Sequence, residues 1–176
     1  MDNVTDWPAM IGYLLIVKNE IDQRDLEKLQ EYTAPRQKVS EEVLRGAESS
    51  LNVQFPVEYR NFLLHADGWK SFYWNTDLFG MLEFSGEGAA HVATEGLGVY
   101  EAEGVLEDLK LEGHDLIPIG AGIGSENLFL LVVSGDAEKV GTVIWIDGGD
   151  EIETFRGFDE FFAAIIEEHK SYLEEL

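Results

Sequence analysis

The first third of the chain carries apolar residues at the three- and four-residue spacing that is typical of amphipathic helices. Asp6 is a suitable N-cap for the first of these segments, which runs to about residue 17. Ser40 is a suitable N-cap for a second segment that ends near Asn52, and a third covers 56–68. The pattern therefore predicts that this third of the chain is helical.

After residue 68 the pattern changes to aromatic and β-branched residues separated by turn formers. The stretch "DLFGMLEFS" alternates between apolar and polar positions and predicts a strand. Two apolar runs, "LFLLVVS" and "VGTVIWID", are joined by "GDAEK", which predicts a hairpin, and "EIETF" predicts a further strand.

The least regular part of the pattern lies between Gly86 and Gly113, which is acidic and weakly periodic. Here we expect a strand at Gly98 to Glu101 and a short helix at Val105 to Leu109. The pattern becomes regular again near the end of the chain, where Asp159 to Leu173 predict an amphipathic helix.

The stretch "LIPIGAGIGSENLFLLVV" places three alternating glycines between two apolar runs. A dinucleotide-binding loop needs a helix directly after its glycines, because the N-terminal N–H groups of that helix hold the phosphates. Here Ser125, Glu126 and Asn127 are followed by a predicted strand, and Glu126 would repel a phosphate. We therefore expect these glycines to turn the chain.

Composition adds a strong charge to this picture. Among 176 residues, 35 are acidic and 12 are basic, which gives a formal net charge of −23. Such a charge repels nucleic acid and anionic lipid and accelerates encounter with cationic molecules. It indicates a basic protein partner, although the same charge is also explained by solubility or by adaptation to a high-salt host.

The length is that of one domain with a substantial core. The absence of cysteine excludes disulfides, thiolate zinc sites and a cysteine nucleophile, and it is typical of a reducing cytoplasm. The longest apolar run near the start, Ala9 to Val17, is too short to cross a bilayer. Asp2 and Asp6 stand where a signal peptide needs positive charge, so we expect a cytoplasmic protein without a membrane segment.

The residue types that support catalysis do not form a recognisable pattern. No Gly-x-Ser-x-Gly motif is present. The four histidines are scattered without a metal-ligand spacing: His65, His91, His114 and His169. The sequence thus predicts a binding protein that is not an enzyme, with no cofactor and no metal.

The segment "VSEEVLRGAESSLNVQFPVEYRNFLLHADGW" resembles the first part of the SUKH superfamily, the Smi/Knr-type proteins. Eight residues carry the resemblance: Glu48, Leu51, Phe55, Pro56, Tyr59, Phe62, Leu63 and Gly68. Further on, "LIPIG" and "FRGFDEFFAAII" resemble the strand before the central loop and the start of the last helix in that family. One departure is that Gly124, Ser125 and Glu126 stand where the family commonly has Gly-Asp.

The resemblance implies an α+β fold, in which a mostly antiparallel central sheet is flanked by N-terminal helices and a C-terminal helix. It corresponds to a single SUKH-like domain over 1–176, with helices at about 5–67, a sheet-rich part at about 77–156 and a last helix at about 158–174. The resemblance also implies a bacterial immunity protein that neutralises a polymorphic or contact-dependent toxin, for example a nuclease, by blocking its active site. The alternative function is that of a non-catalytic scaffold or regulator of cell-wall or signalling processes.

Three groups of residues are candidates for contact with a partner. The first is an aromatic cluster, for which a place in the core is the alternative: Trp69, Phe72, Tyr73 and Trp74. The second is an acidic band in the weakly patterned middle: Glu83, Glu87, Glu95, Glu101, Glu103, Glu107 and Asp108. The third lies at a strand turn, where an Asp-Gly turn is the simpler explanation: Asp147, Asp150 and Glu151.

Overall fold

The structure is a computed structural model that describes residues 4–148 and 151–176. Within these residues, six strands form one antiparallel sheet in which each strand pairs with the next along the chain. The strands are β1 (Trp69–Tyr73), β2 (Thr76–Leu78), β3 (Leu116–Ala121), β4 (Asn127–Val132), β5 (Val143–Asp147) and β6 (Glu151–Phe155). The predicted hairpin is β4 and β5, and "EIETF" forms β6.

One face of this sheet is covered by helices from both ends of the chain. They are α1 (Trp7–Arg24), α2 (Glu41–Leu51), α3 (Val57–Leu63) and α7 (Phe158–Glu175), the last of which continues to within one residue of the chain's end. Trp7, Phe62 and Phe162 are fully buried between them, and Phe161 of α7 lies 4.9 Å from Phe129 of β4, measured between ring centroids. The predicted α+β fold is confirmed.

The helix starts follow the predicted capping chemistry. The Asp6 carboxylate accepts a hydrogen bond from Ala9 N at 3.0 Å, and the Ser40 hydroxyl accepts one from Val43 N at 3.3 Å. The second helix ends at Asn52, whose left-handed φ of 52° is typical of a helix C-terminus.

The other face of the sheet is covered by the segment that the pattern left irregular. It forms α4 (Met81–Phe84), α5 (Ala90–Ala102) and α6 (Val105–Asp108). Alternate residues of β4 divide between the two faces: Leu128 and Leu130 pack towards α5, while Phe129 packs towards α7. The molecule therefore has three layers, helices on each side of one sheet.

Three sequence predictions are corrected here. Gly98 to Glu101 are helical and not a strand, because they continue a helix whose Ala93 and Gly96 pack on the sheet, and this packing outweighs the low helix propensity of the glycines. The stretch 77–85 contributes only the end of β2 and then turns into α4, and the sheet begins at Trp69 and not at residue 77.

The alternating glycines lie where β3 gives way to β4. A β-carbon added at Gly122 would lie 1.9 Å from the carbonyl oxygen of Asn75, so the backbone of the neighbouring turn approaches too closely for any side chain. Strand β4 follows at Asn127. The glycines turn the chain, as predicted.

Candidate functional site

Two of the four aromatic candidates lie in the core. Trp69 and Phe72 are fully buried, and the indole N–H of Trp69 donates to the carbonyl oxygen of Thr33 at 3.1 Å. Phe72 packs against Phe162 of α7 with ring centroids 5.3 Å apart. Neither side chain reaches the surface, so neither belongs to the candidate site.

The other two aromatics, Tyr73 and Trp74, are partly exposed where β1 turns into β2. Tyr73 pairs with Thr76, so Trp74 and Asn75 form a two-residue turn. Trp74 has a φ of 51°, and its ring lies 5.0 Å from that of Tyr172 in α7. The turn therefore presents an indole at the surface, in a backbone conformation that bulky residues rarely adopt.

A cavity of about 120 Å³ lies on the α7 side of the sheet, beside this turn. Its walls, which we call the aromatic–acid pocket, are Tyr73, Trp145, Asp147, Glu153 and Glu168. Strand geometry explains three of these positions: Trp145 and Asp147 are alternate residues of β5, and Glu153 of β6 lies directly opposite Trp145. Helix α7 supplies Glu168, and β1 supplies Tyr73.

The aromatic walls of the pocket are held in place. The Trp145 indole N–H donates to the side-chain oxygen of Asn127 at 2.7 Å. The rings of Tyr73 and Trp145 meet edge to face, with centroids 4.9 Å apart. Hydrogen bonding and edge-to-face packing thus preorganise both rings.

The carboxylates of the pocket dominate its electrostatics. Burial, followed by the charges of Glu168, Asp147 and Glu153, raises the pKa of Tyr73 to about 12. In the described part of the chain, none of these three carboxylates forms an ion pair with a Lys, Arg or His side chain. The pocket therefore concentrates negative charge beside two aromatic rings.

The negative charge continues around the end of the sheet towards α5. Burial first, and then the charges of Glu103, Glu126 and Asp147, raise the pKa of Tyr100 in α5. Asp147 influences both tyrosines and so connects the pocket to the opposite face of the sheet.

The acidic band lies largely on that opposite face. Six of its seven members are exposed on or beside α5 and α6: Glu87, Glu95, Glu101, Glu103, Glu107 and Asp108. No Lys or Arg lies between Lys70 and Lys110 along the sequence, so the segment supplies no cation of its own. These six residues lie in the layer that α5 and α6 form, and none of them lines the aromatic–acid pocket.

Glu83, the seventh member of the band, has a structural role. It is only 4% exposed, and its carboxylate accepts hydrogen bonds from both terminal nitrogens of Arg36, at 2.6 and 3.2 Å. It also accepts one from Gly80 N at 2.8 Å. A buried carboxylate with these partners holds α4 to the chain segment before α2 and is not available to a partner.

The third predicted group is only partly described. Asp147 is exposed and lines the pocket. Asp150 lies outside the described residues, as does the side chain of Glu151.

Two buried polar side chains, one from α1 and one from α7, contact β1 just before the β1–β2 turn. Lys18 of α1 donates to the carbonyl oxygen of Ser71 at 2.7 Å, and burial lowers its pKa to about 8. His169 of α7 bonds the carbonyl oxygen of Ile165 through Nδ1 at 2.8 Å, and its ring lies 5.8 Å from Tyr73. Burial, followed by the charge of Lys18, lowers the pKa of His169 to about 4, so the ring is neutral at pH 7.

Sequence reasoning missed Trp145, Glu153 and Glu168. The alternation of "VIWID" does place Trp145 and Asp147 on one face of a strand. No local sequence pattern indicates that Glu153 lies opposite Trp145, or that Tyr73 and Glu168, which are distant in the sequence, lie beside them.

Among the described residues, no group of three or more His, Cys, Asp or Glu side chains is placed to hold a metal ion. In the same residues, no helix has the length and apolar character needed to cross a membrane.

Comparison with known protein families gives a match over most of the chain. Residues 38–164 match the model of the SMI1 / KNR4 family (SUKH-1). No curated protein matches the chain. The matched region contains Tyr73, Trp74, Trp145 and Glu153, whereas Glu168 lies just beyond its end.

Proposed function

The chain belongs to the SMI1 / KNR4 family (SUKH-1), and from this premise we propose that it is an immunity protein that binds a cognate toxin domain. The complex is one-to-one, and it blocks the active site or the substrate path of the toxin. The protein acts through its surface and performs no chemistry of its own.

The observation that carries this proposal is the aromatic–acid pocket beside the β1–β2 turn. It combines aromatic side chains, which are enriched in the high-affinity centres of protein interfaces, with carboxylates that have no described ion-pair partner. A surface of this composition is complementary to a cationic polypeptide.

The overall charge supports the same partner class. A nuclease must present a cationic cleft to its phosphate substrate, and a protein with a net charge of −23 approaches such a cleft under strong attraction. Blocking that cleft would exclude the nucleic acid. The cytoplasm, where a toxin of this kind meets nucleic acid, is the compartment that this function requires.

The test is coexpression with a candidate toxin. The candidate is the C-terminal domain of a large secreted protein that is encoded beside this gene. We expect growth to stop when that domain is expressed alone and to recover when this protein is coexpressed. Size-exclusion chromatography should give a one-to-one complex that resists moderate salt.

The control is the same toxin domain with an unrelated acidic protein of similar size, which should not restore growth. Absence of rescue together with absence of a complex would contradict the proposal.

A further inference from the structure

The carboxylates of the aromatic–acid pocket are spread around a cavity and do not converge on one point. Asp147, Glu153 and Glu168 come from three different elements, and they are not placed to hold a metal ion among the described residues. The cavity, of about 120 Å³, has room for more than one water molecule. A small organic cation matches this space better than a bare ion.

Two carboxylates elsewhere in the described chain, those of Glu83 and Glu41, show how an arginine side chain binds an acidic residue of this protein. Arg36 neutralises Glu83 with Nη2 and Oε2 2.6 Å apart, and Arg60 bonds Glu41 over the same distance. Both pairs are bidentate, which is the geometry that guanidinium groups form with carboxylates. The aromatic–acid pocket has three carboxylates, and no Lys, Arg or His is among its described lining residues.

The aromatic walls give the pocket a second means of attracting a cation. The faces of Trp and Tyr rings carry negative electrostatic potential and attract ammonium and guanidinium groups within about 6 Å. Trp145 and Tyr73 pack edge to face, and the Trp145 indole N–H also donates to Asn127, so the rings need little reorganisation. Aromatic rings and carboxylates in one cavity are complementary to a cation that is both flat and rich in N–H groups.

We propose that the aromatic–acid pocket binds the guanidinium group of one arginine side chain of the partner protein. A guanidinium has five N–H donors, stacks on aromatic rings and is less strongly hydrated than the lysine ammonium group. It therefore combines hydrogen bonds to carboxylates with stacking on an aromatic ring, whereas an ammonium group is a point charge with three donors. This inference rests on the proposed function, because the arginine belongs to the toxin domain.

The direct test uses short peptides and does not require the toxin. The probes are three capped tripeptides, glycine-X-glycine, in which X is arginine, lysine or the neutral isostere citrulline. The readout is the indole N–H signal of Trp145 in a nitrogen–proton correlation spectrum, identified by its loss in Trp145→Phe.

We expect the arginine peptide to shift this signal with a dissociation constant on the order of millimolar, as a single side chain should. The citrulline peptide should bind at least about tenfold more weakly, because it lacks the charge but keeps the shape. An equal response to lysine would overturn the assignment to guanidinium. A response to citrulline as strong as that to arginine, or no movement of the Trp145 signal, would overturn the pocket itself.

Variants locate the effect. Glu153→Gln combined with Glu168→Gln should weaken arginine-peptide binding about tenfold or more. The matched control is Glu42→Gln with Glu138→Gln, which removes the same charge from exposed positions, the second at the opposite end of the β4–β5 hairpin. Equal weakening by both pairs would show nonspecific attraction to the acidic surface and would overturn the proposal.

The same variants separate this inference from the proposed function. If the toxin complex forms with undiminished affinity in the Glu153→Gln, Glu168→Gln variant, the pocket assignment is wrong and the immunity function stands. If the arginine peptide binds in the pocket but no toxin is neutralised, the pocket stands and the proposed partner is wrong.

Discussion

Trp74 occupies a backbone conformation that costs free energy for any residue with a bulky side chain. Its φ of 51° lies in the left-handed region, and two-residue hairpin turns with positive φ prefer asparagine or glycine. Strained residues that persist on a surface are often functional, because folding alone does not favour them. Because Trp74 lies next to the aromatic–acid pocket, we propose that it contacts the partner protein.

Substitution of Trp74 separates binding from folding. Glycine adopts the turn without strain, so in Trp74→Gly the relief of strain should offset the lost contact with Tyr172, within about 1 kcal/mol of unfolding free energy. Affinity for the toxin domain should fall by about 2 kcal/mol or more, as for a central interface tryptophan. Urea denaturation and isothermal titration calorimetry measure the two quantities.

The control for this substitution is Asn52→Gly. Asn52 has a φ of 52° at the end of α2, so the same backbone change occurs far along the chain from the turn. Its affinity for the toxin should be unchanged. An equal affinity for the Trp74→Gly variant and the wild-type protein would remove Trp74 from the interface.

Among the elements, α5 shows how tertiary packing can decide secondary structure. The helix contains Gly96 and Gly98, and its apolar residues do not form a clear stripe, so the sequence favoured a short strand instead. In the structure a β-carbon at Gly96 would come within 3.5 Å of Leu128, and Ala93 is fully buried against the sheet. Burial of this face stabilises a helix that would be marginal alone.

Gly98 provides a test of this explanation. It is exposed within α5, and a β-carbon there would meet no atom within 4 Å. Gly98→Ala should therefore raise the unfolding free energy by about 0.5–1 kcal/mol, because alanine has the higher helix propensity. Urea denaturation followed by circular dichroism measures the change.

Gly104→Ala is the contrasting substitution. Gly104 precedes α6 with a φ of 78°, where alanine is strained, so this variant should lose about 1 kcal/mol. Destabilisation by Gly98→Ala would mean that α5 is not a regular helix in solution.

On the scale of the whole molecule, acidic residues cover both outer layers. The pocket lies on the α7 side of the sheet, while the exposed acidic band lies on α5 and α6. Asp147 connects the two at the end of the sheet, as its effect on Tyr73 and Tyr100 indicates. Under the proposed function, a field of one sign on both sides attracts the cationic toxin domain from many directions, and the contacts in the pocket select its orientation.

This division of roles predicts different kinetic effects. Glu103→Lys combined with Glu107→Lys should slow association with the toxin by roughly two- to tenfold at low salt and flatten its salt dependence, while dissociation changes little. Stopped-flow fluorescence at several ionic strengths measures both rates. The control is Glu42→Lys with Glu138→Lys, which alters the net charge equally.

If the association rate of the Glu103→Lys, Glu107→Lys variant equals that of the wild type, the acidic band does not guide association. If its rate matches that of the control pair, only net charge matters and the position of the band has no role.

Most of the fold was predictable because its signals are local. Asp6, Ser40 and Asn52 mark helix ends through contacts within a few residues, and the β4–β5 hairpin follows from two apolar runs and the turn between them. The family resemblance came from three separate segments, of which the first carries most of the motif, and it added the arrangement of helices on an antiparallel sheet. The net charge, which suggests the class of partner, needs no structure.

The candidate site was only half predictable, because it depends on residues that are distant in the sequence. Tyr73, Trp74 and Asp147 were predicted, but Trp69, Phe72 and Glu83 are equally prominent in the sequence and lie buried. Which aromatic faces the core depends on the packing of β1 against α7, and which glutamate is neutralised depends on the position of Arg36. Hydrophobic burial and ion pairing act between elements that are distant in the sequence. Which aromatic side chains are buried and which carboxylates are paired is therefore decided only when the layers assemble. Outside α4 and α5, local propensities decide where helices and strands begin and end, whereas the pocket exists only because β1, β5, β6 and α7 meet.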